Sequence, residues 1–254
     1  MRFYSYVAAL WLSLPILVIL LYGAEWFRRD VFALMISPVI LTLVASGIAV
    51  AAIVLIFTPL SFYLARRRNA ILESLIDLPA SVPHPVVGIG ILLLFSEYTP
   101  LGSLLNQFGL TVFDNVFGLT LALITVSAPI YVRSMREAFS TIPAETFEVF
   151  STLGVGLWRQ MFFVALPEAR MSIINSSLTA MSRAISEFGS VAIVSYYVLN
   201  PPFNGAKYGS VEIYDIFLYE GLQAAVVAAA VLVIIGLVIS VIIRAVSLLS
   251  GSKQ

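Results

Sequence analysis

Five uncharged apolar runs divide this chain: Arg2 to Glu25, within Val31 to Ala65, Asp77 to Glu97, Asp114 to Arg133, and Glu220 to Arg244. A sixth, from about Met171 to Leu199, is apolar but carries Arg183 and Glu187. Each reaches the roughly 17–25 residues that a helix needs to cross a ~30 Å hydrocarbon core. The pattern predicts an all-α membrane protein with about six transmembrane helices, in one domain over residues 1–254. The extra length ahead of Thr42 reads as an external or interfacial approach to the second span. The third span opens on Pro79, Pro83 and Pro85. Three missing backbone donors disfavour a regular helix there. Broken backbone at membrane depth is tolerated where it is buried in protein or lines a cavity, although such prolines also simply shape the start of a helix.

One polar segment interrupts the apolar runs, from Glu145 to Pro167. Read as a helix, it places Glu145, Glu148 and Thr152 on one face and Phe147, Phe150 and Leu153 on the other. Pro143 suits the first turn, and Glu145 suits the positive end of the dipole. Gly154 permits a turn that a residue with a Cβ resists. A second helical stretch, Trp158 to Val164, runs into Leu166-Pro167. Spacing alone fits two roles, a surface gripped by a partner or an interfacial helix on lipid headgroups.

The order Glu148-Val149-Phe150, three residues, Gly154, nine residues, Val164, one residue, Leu166-Pro167 resembles the EAA signature of ABC importer permeases. Val149 and Phe150 stand where that family has alanines, and Val164 where it has isoleucine. The resemblance implies a coupling helix seated in a groove of an ATP-binding subunit. It assigns ATPase coupling to Glu145, Glu148, Phe150, Gly154, Leu166 and Pro167, within a cytoplasmic segment 137–167. The implied architecture is that of a type I ABC importer permease.

Composition agrees with the spans: 60% of the 254 residues are hydrophobic and 11% charged, against roughly 25% charged in soluble domains. The formal net charge is zero, so nothing points to nucleic acid. There is no cysteine, which excludes disulfides and thiolate metal sites. With the N-terminus inside, the cytoplasmic side receives Arg2, Arg66, Arg67, Arg68, Arg133, Arg136, Arg159, Arg170, Arg244 and Lys253. Arg28, Arg29 and Lys207 stay outside. The positive-inside rule thus predicts a multi-pass protein of the cell membrane with both termini cytoplasmic. The first span reads as retained, because cleavage after Ala24 would set bulky Tyr22 where a small residue is wanted.

In the fifth span Ser172, Asn175, Ser176, Thr179, Arg183, Ser186, Glu187 and Ser190 fall within one sector of a helical wheel. Ile173, Ile174, Leu178, Met181, Ile185 and Phe188 lie outside it, with Ser177 and Ser182. Small and hydroxyl residues also mediate packing between membrane helices. Two charges are different: each costs roughly 2.5–3.5 kcal/mol at mid-helix and therefore faces a cavity or a partner. Arg183 and Glu187 are four apart, a spacing that allows a pair, whether it lines a path or simply braces the bundle. The candidate translocation path comprises Pro83, His84, Ser176, Thr179, Arg183, Ser186, Glu187 and Ser190. His84 alone also fits a packing role.

Ile76-Asp77-Leu78-Pro79 with Pro83-His84-Pro85-Val86-Val87-Gly88 resembles the third-span start of molybdate/tungstate permeases. Arg183-Ala184-Ile185-Ser186-Glu187-Phe188-Gly189 with Ile193-Val194-Ser195-Tyr196-Tyr197 is similar to their fifth-span motif; sulfate permeases are close relatives. The resemblance implies a permease homodimer set in membrane lipid, with two ATP-binding cassette subunits and an extracytoplasmic oxyanion-binding protein. A hydroxyl-lined path suits a tetrahedral dianion, since many weak donors replace hydration water without trapping the ion. Molybdate, tungstate and sulfate are not separated by this chain alone.

Covalent chemistry is not expected. The two lysines follow Ala206 and Ser252, so the Gly-x-x-x-x-Gly-Lys phosphate loop is missing. No cofactor is expected on this chain, and ATP and Mg belong to the partner subunit. His84 has no second His or Cys for a metal site. A secondary transporter would also carry a charged pair in a span, but it often shows inverted repeats, and none is visible.

Overall fold

The computed structural model describes residues 2–251 as helices joined by loops, with one isolated antiparallel bridge between Val198 and Ala206. Lys253, counted above among the inside charges, lies outside the described residues. The chain opens with α1 (Arg2–Glu25), α2 (Arg29–Leu34) and α3 (Ile36–Arg66). Next come α4 (Ala70–Ser81), α5 (His84–Leu94), α6 (Pro100–Gln107) and α7 (Val116–Ser140). The polar segment forms α8 (Ala144–Thr152), α9 (Leu157–Gln160), a π-helical turn (Met161–Ala165) and α10 (Leu166–Glu168). Last are α11 (Arg170–Ile185), α12 (Gly189–Val194), α13 (Gly209–Glu220) and α14 (Leu222–Gly251).

Among the described residues, Tyr4–Glu25, Arg29–Arg66, Val116–Ser140 and Leu222–Ile242 are long and apolar enough to cross a membrane. The third predicted span is not one helix. Helices α4 and α5 meet at a 110° bend. The cause is local: the ring of Pro83 clashes with a helical Val82, which therefore adopts φ −111°, ψ 155° and ends α4. Pro85 then occupies the first turn of α5, where its missing N–H is not needed. The fifth predicted span is interrupted as well, between Ile185 and Gly189. Ahead of Thr42, the short α2 and a turn at Met35 lead into α3, which already begins at Ile36.

The centre of the bundle is α3 packed along α7. Ile53 and Phe62 meet Tyr131, Met135 and Phe139 in one buried cluster. Phe62 and Phe139 make an edge-to-face contact at 5.5 Å, and the Thr58 and Tyr131 hydroxyls lie 2.7 Å apart. A second cluster joins Leu41, Ala45 and Ala49 to Leu123, Ala184, Val191 and Tyr208. There the Tyr208 hydroxyl donates to the Ala184 carbonyl at 2.9 Å and lies 2.7 Å from Ser46 Oγ. Lipid tails are as apolar as leucine, so these close contacts and buried hydroxyl bonds, not hydrophobicity, hold the helices together. Helix α1 is peripheral: 6% of its apolar window is buried, against 56% for α7.

Candidate functional site

The two interrupted helices meet. Glu187 follows the end of α11 and is 1% exposed, yet each carboxylate oxygen has partners. Its Oε1 accepts from the Ser190 N–H and the Ser190 hydroxyl, both at 2.9 Å. Its Oε2 lies 2.7 Å from Arg183 Nη2 and 2.8 Å from His84 Nδ1. Arg183 Nη2 also stands 2.8 Å and 3.0 Å from the two ring nitrogens of His84. One carboxylate thus satisfies an orphan N–H of α12, balances an arginine and holds the first residue of α5. The close approach continues upward. A Cβ on Gly88 would fall 2.9 Å from both Ile193 Cβ and the Ser190 carbonyl, so only glycine lets α5 lie this close to α12.

The serine stripe of the fifth span divides in two. Ser176 and Ser190 are buried, and Ser176 Oγ meets Ser134 Oγ of α7 at 2.7 Å. Thr179 and Ser186 are exposed. Arg183 and His84 are partly open, at 21% and 33%, and Arg183 Nη1 reaches toward Ser186 Oγ at 3.5 Å. Ile185, outside the predicted sector, is buried in the bundle. Pro83 caps α5 beside His84. The open polar face is therefore His84, Thr179, Arg183 and Ser186, with Glu187, Ser176 and Ser190 packed behind it. Because the chain has no cysteine, single cysteines report directly. Cysteines at Thr179 and Ser186 are expected to react with an aqueous thiol reagent, and those at Ser176, Ser190 and Ile185 to resist it. Equal reaction at all five positions, or at none, would remove the open face.

In the polar segment, Phe147 is buried against Phe62 at 5.7 Å, with the Arg66 guanidinium 4.2 Å above its ring. Burying one such aromatic contributes about 1.5–3 kcal/mol and pins α8 to α3. Glu145 and Glu148 are exposed, and Phe150 is half-buried. Leu153 departs from the face predicted for it and is 73% exposed. The reason is that α8 ends at Thr152, and Gly154 at φ +76° turns the chain away one residue later. The predicted Trp158–Val164 helix is instead α9 followed by the π-helical turn, and the turn leads into Leu166-Pro167. Pro167 sits in the first turn of α10, Leu166 is half-buried and Pro167 exposed.

The sequence profile of the family described as the binding-protein-dependent transport system inner membrane component matches residues 57–248. The chain belongs to this family of transport permeases. Its fold is the all-α, type I ABC importer permease architecture. The chain is 30% identical to the molybdate/tungstate transport system permease protein of Pyrococcus furiosus over 244 residues, which cover 92% of this chain and 88% of that one. It is 29% identical to the molybdenum transport system permease protein of Azotobacter vinelandii, over 63% of this chain and 72% of that one. It is also similar to the probable sulfate transport system permease protein of Chlorella vulgaris, at 31% over 64% of this chain and 60% of that one.

Several residues of this permease that position the sites escaped the sequence reading. Buried Gln160 donates to Ser151 Oγ at 3.0 Å and to the Val155 carbonyl at 2.7 Å, clamping the turn at Gly154. A lone amide inside an aromatic stretch was the available signal. Helix α4 buries no residue, and two ion pairs tie it to α7: Glu73 with Arg136 at 2.8 Å and Asp77 with Arg133 at 2.7 Å. The four-residue spacing of Glu73 and Asp77 against the three-residue spacing of the arginines hinted at this match. Beyond α12, Lys207 pairs with Asp215 and lies 3.8 Å from Glu212, while the Tyr196 hydroxyl donates to Asp215. Burial pushes the Glu212 carboxyl above its ordinary range.

Proposed function

We propose that this chain is the transmembrane subunit of an ATP-driven importer that carries molybdate or tungstate into the cell. It crosses the membrane six times, keeps both termini in the cytoplasm and works as a homodimer. Two ATP-binding subunits, where ATP and Mg act, supply the power, and an extracytoplasmic oxyanion-binding protein delivers the ion. Helix α8 enters a groove of the ATP-binding subunit through Glu145, Glu148 and Phe150. The Gly154 turn and Leu166-Pro167 return the chain to the bundle.

The observation that carries this reading is the balanced guanidinium. Arg183 is partly open and beside exposed Ser186, while buried Glu187 cancels its charge. A tetrahedral dianion meets directed donors there but no net positive well, so it is passed on and not retained. Pro83 sets the position of His84, and Ser176 and Ser190 brace the same face from behind. Similarity to the Pyrococcus protein over 92% of this chain supports the choice of ion. Similarity to the Chlorella protein keeps sulfate as a second reading.

The test is ATPase stimulation in the reconstituted complex with its binding protein. Molybdate and tungstate are expected to raise hydrolysis, and sulfate is not. Stimulation by sulfate alone would transfer the chain to the second reading. No response to any of the three oxyanions would remove both.

A further inference from the structure

A cleft of about 130 Å³ opens between the last turns of α3 and α9, lined by Pro59, Phe62, Tyr63, Leu157, Trp158 and Met161. Phe62 and Met161 form its floor and belong to the buried core. Tyr63, Leu157 and Trp158 form an exposed rim, with Trp158 64% open. Trp158 stacks on Phe162 at 6.4 Å, and the neighbouring Phe163 is 77% exposed. Water is a poor occupant for such walls, which offer almost no hydrogen-bonding groups.

Depth identifies the occupant. Pro59 and Tyr63 precede Arg66 by two turns and one turn of α3, so the cleft lies ~5–10 Å below that residue at 1.5 Å per residue. Arg67 and Arg68, which follow directly, are exposed, and such side chains seek the headgroup level of a bilayer. The cleft then reaches from the headgroup level, where tryptophan and tyrosine concentrate, to the depth of the upper acyl chain. It is also continuous with the apolar outer face of α3, where Ile48, Leu55 and Ile56 are exposed. Its volume is too small for a helix, whose diameter with side chains is ~10–12 Å. Its chemistry differs from that of α8 nearby, which presents Glu145 and Glu148 outward.

We infer that this cleft holds the upper acyl chain of a bilayer phospholipid, with Trp158 anchoring the α9 end of the polar segment in the membrane surface. The segment then has one acidic face free for a protein partner and one apolar end held by lipid. This needs only that α3 spans the bilayer, and it stands whichever ion is carried.

The chain has three tryptophans. Changing Trp11→Phe and Trp26→Phe leaves Trp158 as the one tryptophan of this chain, read in the full-length chain alone and again with an ATP-binding subunit made free of tryptophan. In nanodiscs of phosphatidylcholine brominated high on the acyl chain, its emission is expected to fall about twofold or more, with weak quenching by aqueous acrylamide. Strong acrylamide quenching without bromolipid quenching would overturn the inference, because the cleft would then face water. Bromolipid quenching that disappears when the ATP-binding subunit is added would overturn it in favour of a protein occupant. If the double variant fails to assemble, a photo-crosslinking residue at position 158 of the otherwise native chain decides: phospholipid adducts support the lipid, and adducts with the ATP-binding subunit or a second copy overturn it.

Discussion

Glu187→Lys is expected to abolish uptake and to deplete the assembled transporter in the membrane. The wild-type carboxylate is buried and accepts from the Ser190 N–H, the Ser190 hydroxyl and Arg183, with His84 at 2.8 Å. Lysine would set a second cation beside Arg183 in low dielectric and strip the α12 N–H of its acceptor. Breaking a buried ion pair from one side costs about 3–5 kcal/mol, and adding a like charge costs more. Glu187→Gln keeps an acceptor for Ser190 but loses the balancing charge, so intermediate assembly and reduced uptake are expected. Quantifying membrane-inserted protein, co-purified ATP-binding subunit and oxyanion uptake for the wild type and the two variants separates these effects. A lysine variant that assembles and transports like wild type would sink the charge-balance role.

Gly154→Val is expected to lower uptake about tenfold or more while leaving insertion in the membrane intact. The cause is backbone strain and not crowding, since a Cβ at Gly154 would meet nothing within 4 Å. At φ +76° an ordinary L-residue pays about 1–2 kcal/mol, and a β-branched one is a genuine outlier. The exposed turn would escape by re-forming, which breaks the Gln160 clamp and swings α8 against α9. Gly154→Asn, which tolerates this region, should retain most activity. Normal uptake and normal co-purification of the ATP-binding subunit in the valine variant would end the coupling role of the turn.

Much of the fold is legible in the chain because membrane crossing is a local demand. Every residue of a spanning helix must bring its backbone bonds with it, so apolar length alone marks α1, α3, α7 and α14. Pro83 likewise announces the break between α4 and α5, since proline acts on its own neighbours. Leu153 shows where periodicity stops being informative. A wheel continues the α8 face through it, but the helix has already ended, and a glycine one residue later decides where it points.

By itself the sequence determined the membrane class, the proline-disturbed start of the third span and the polar segment between α7 and α11. Each follows from contacts within a few residues. Only the tertiary structure decided that His84 meets Arg183 and Glu187, and that Ser176 and Ser190 face inward while Thr179 and Ser186 do not. It alone placed Trp158 beside Pro59 and Tyr63. Those pairings join positions about a hundred residues apart. Periodicity assigns each residue a side of its own helix, but the packing of whole helices, each crossing set by small residues such as Gly88, selects what stands opposite.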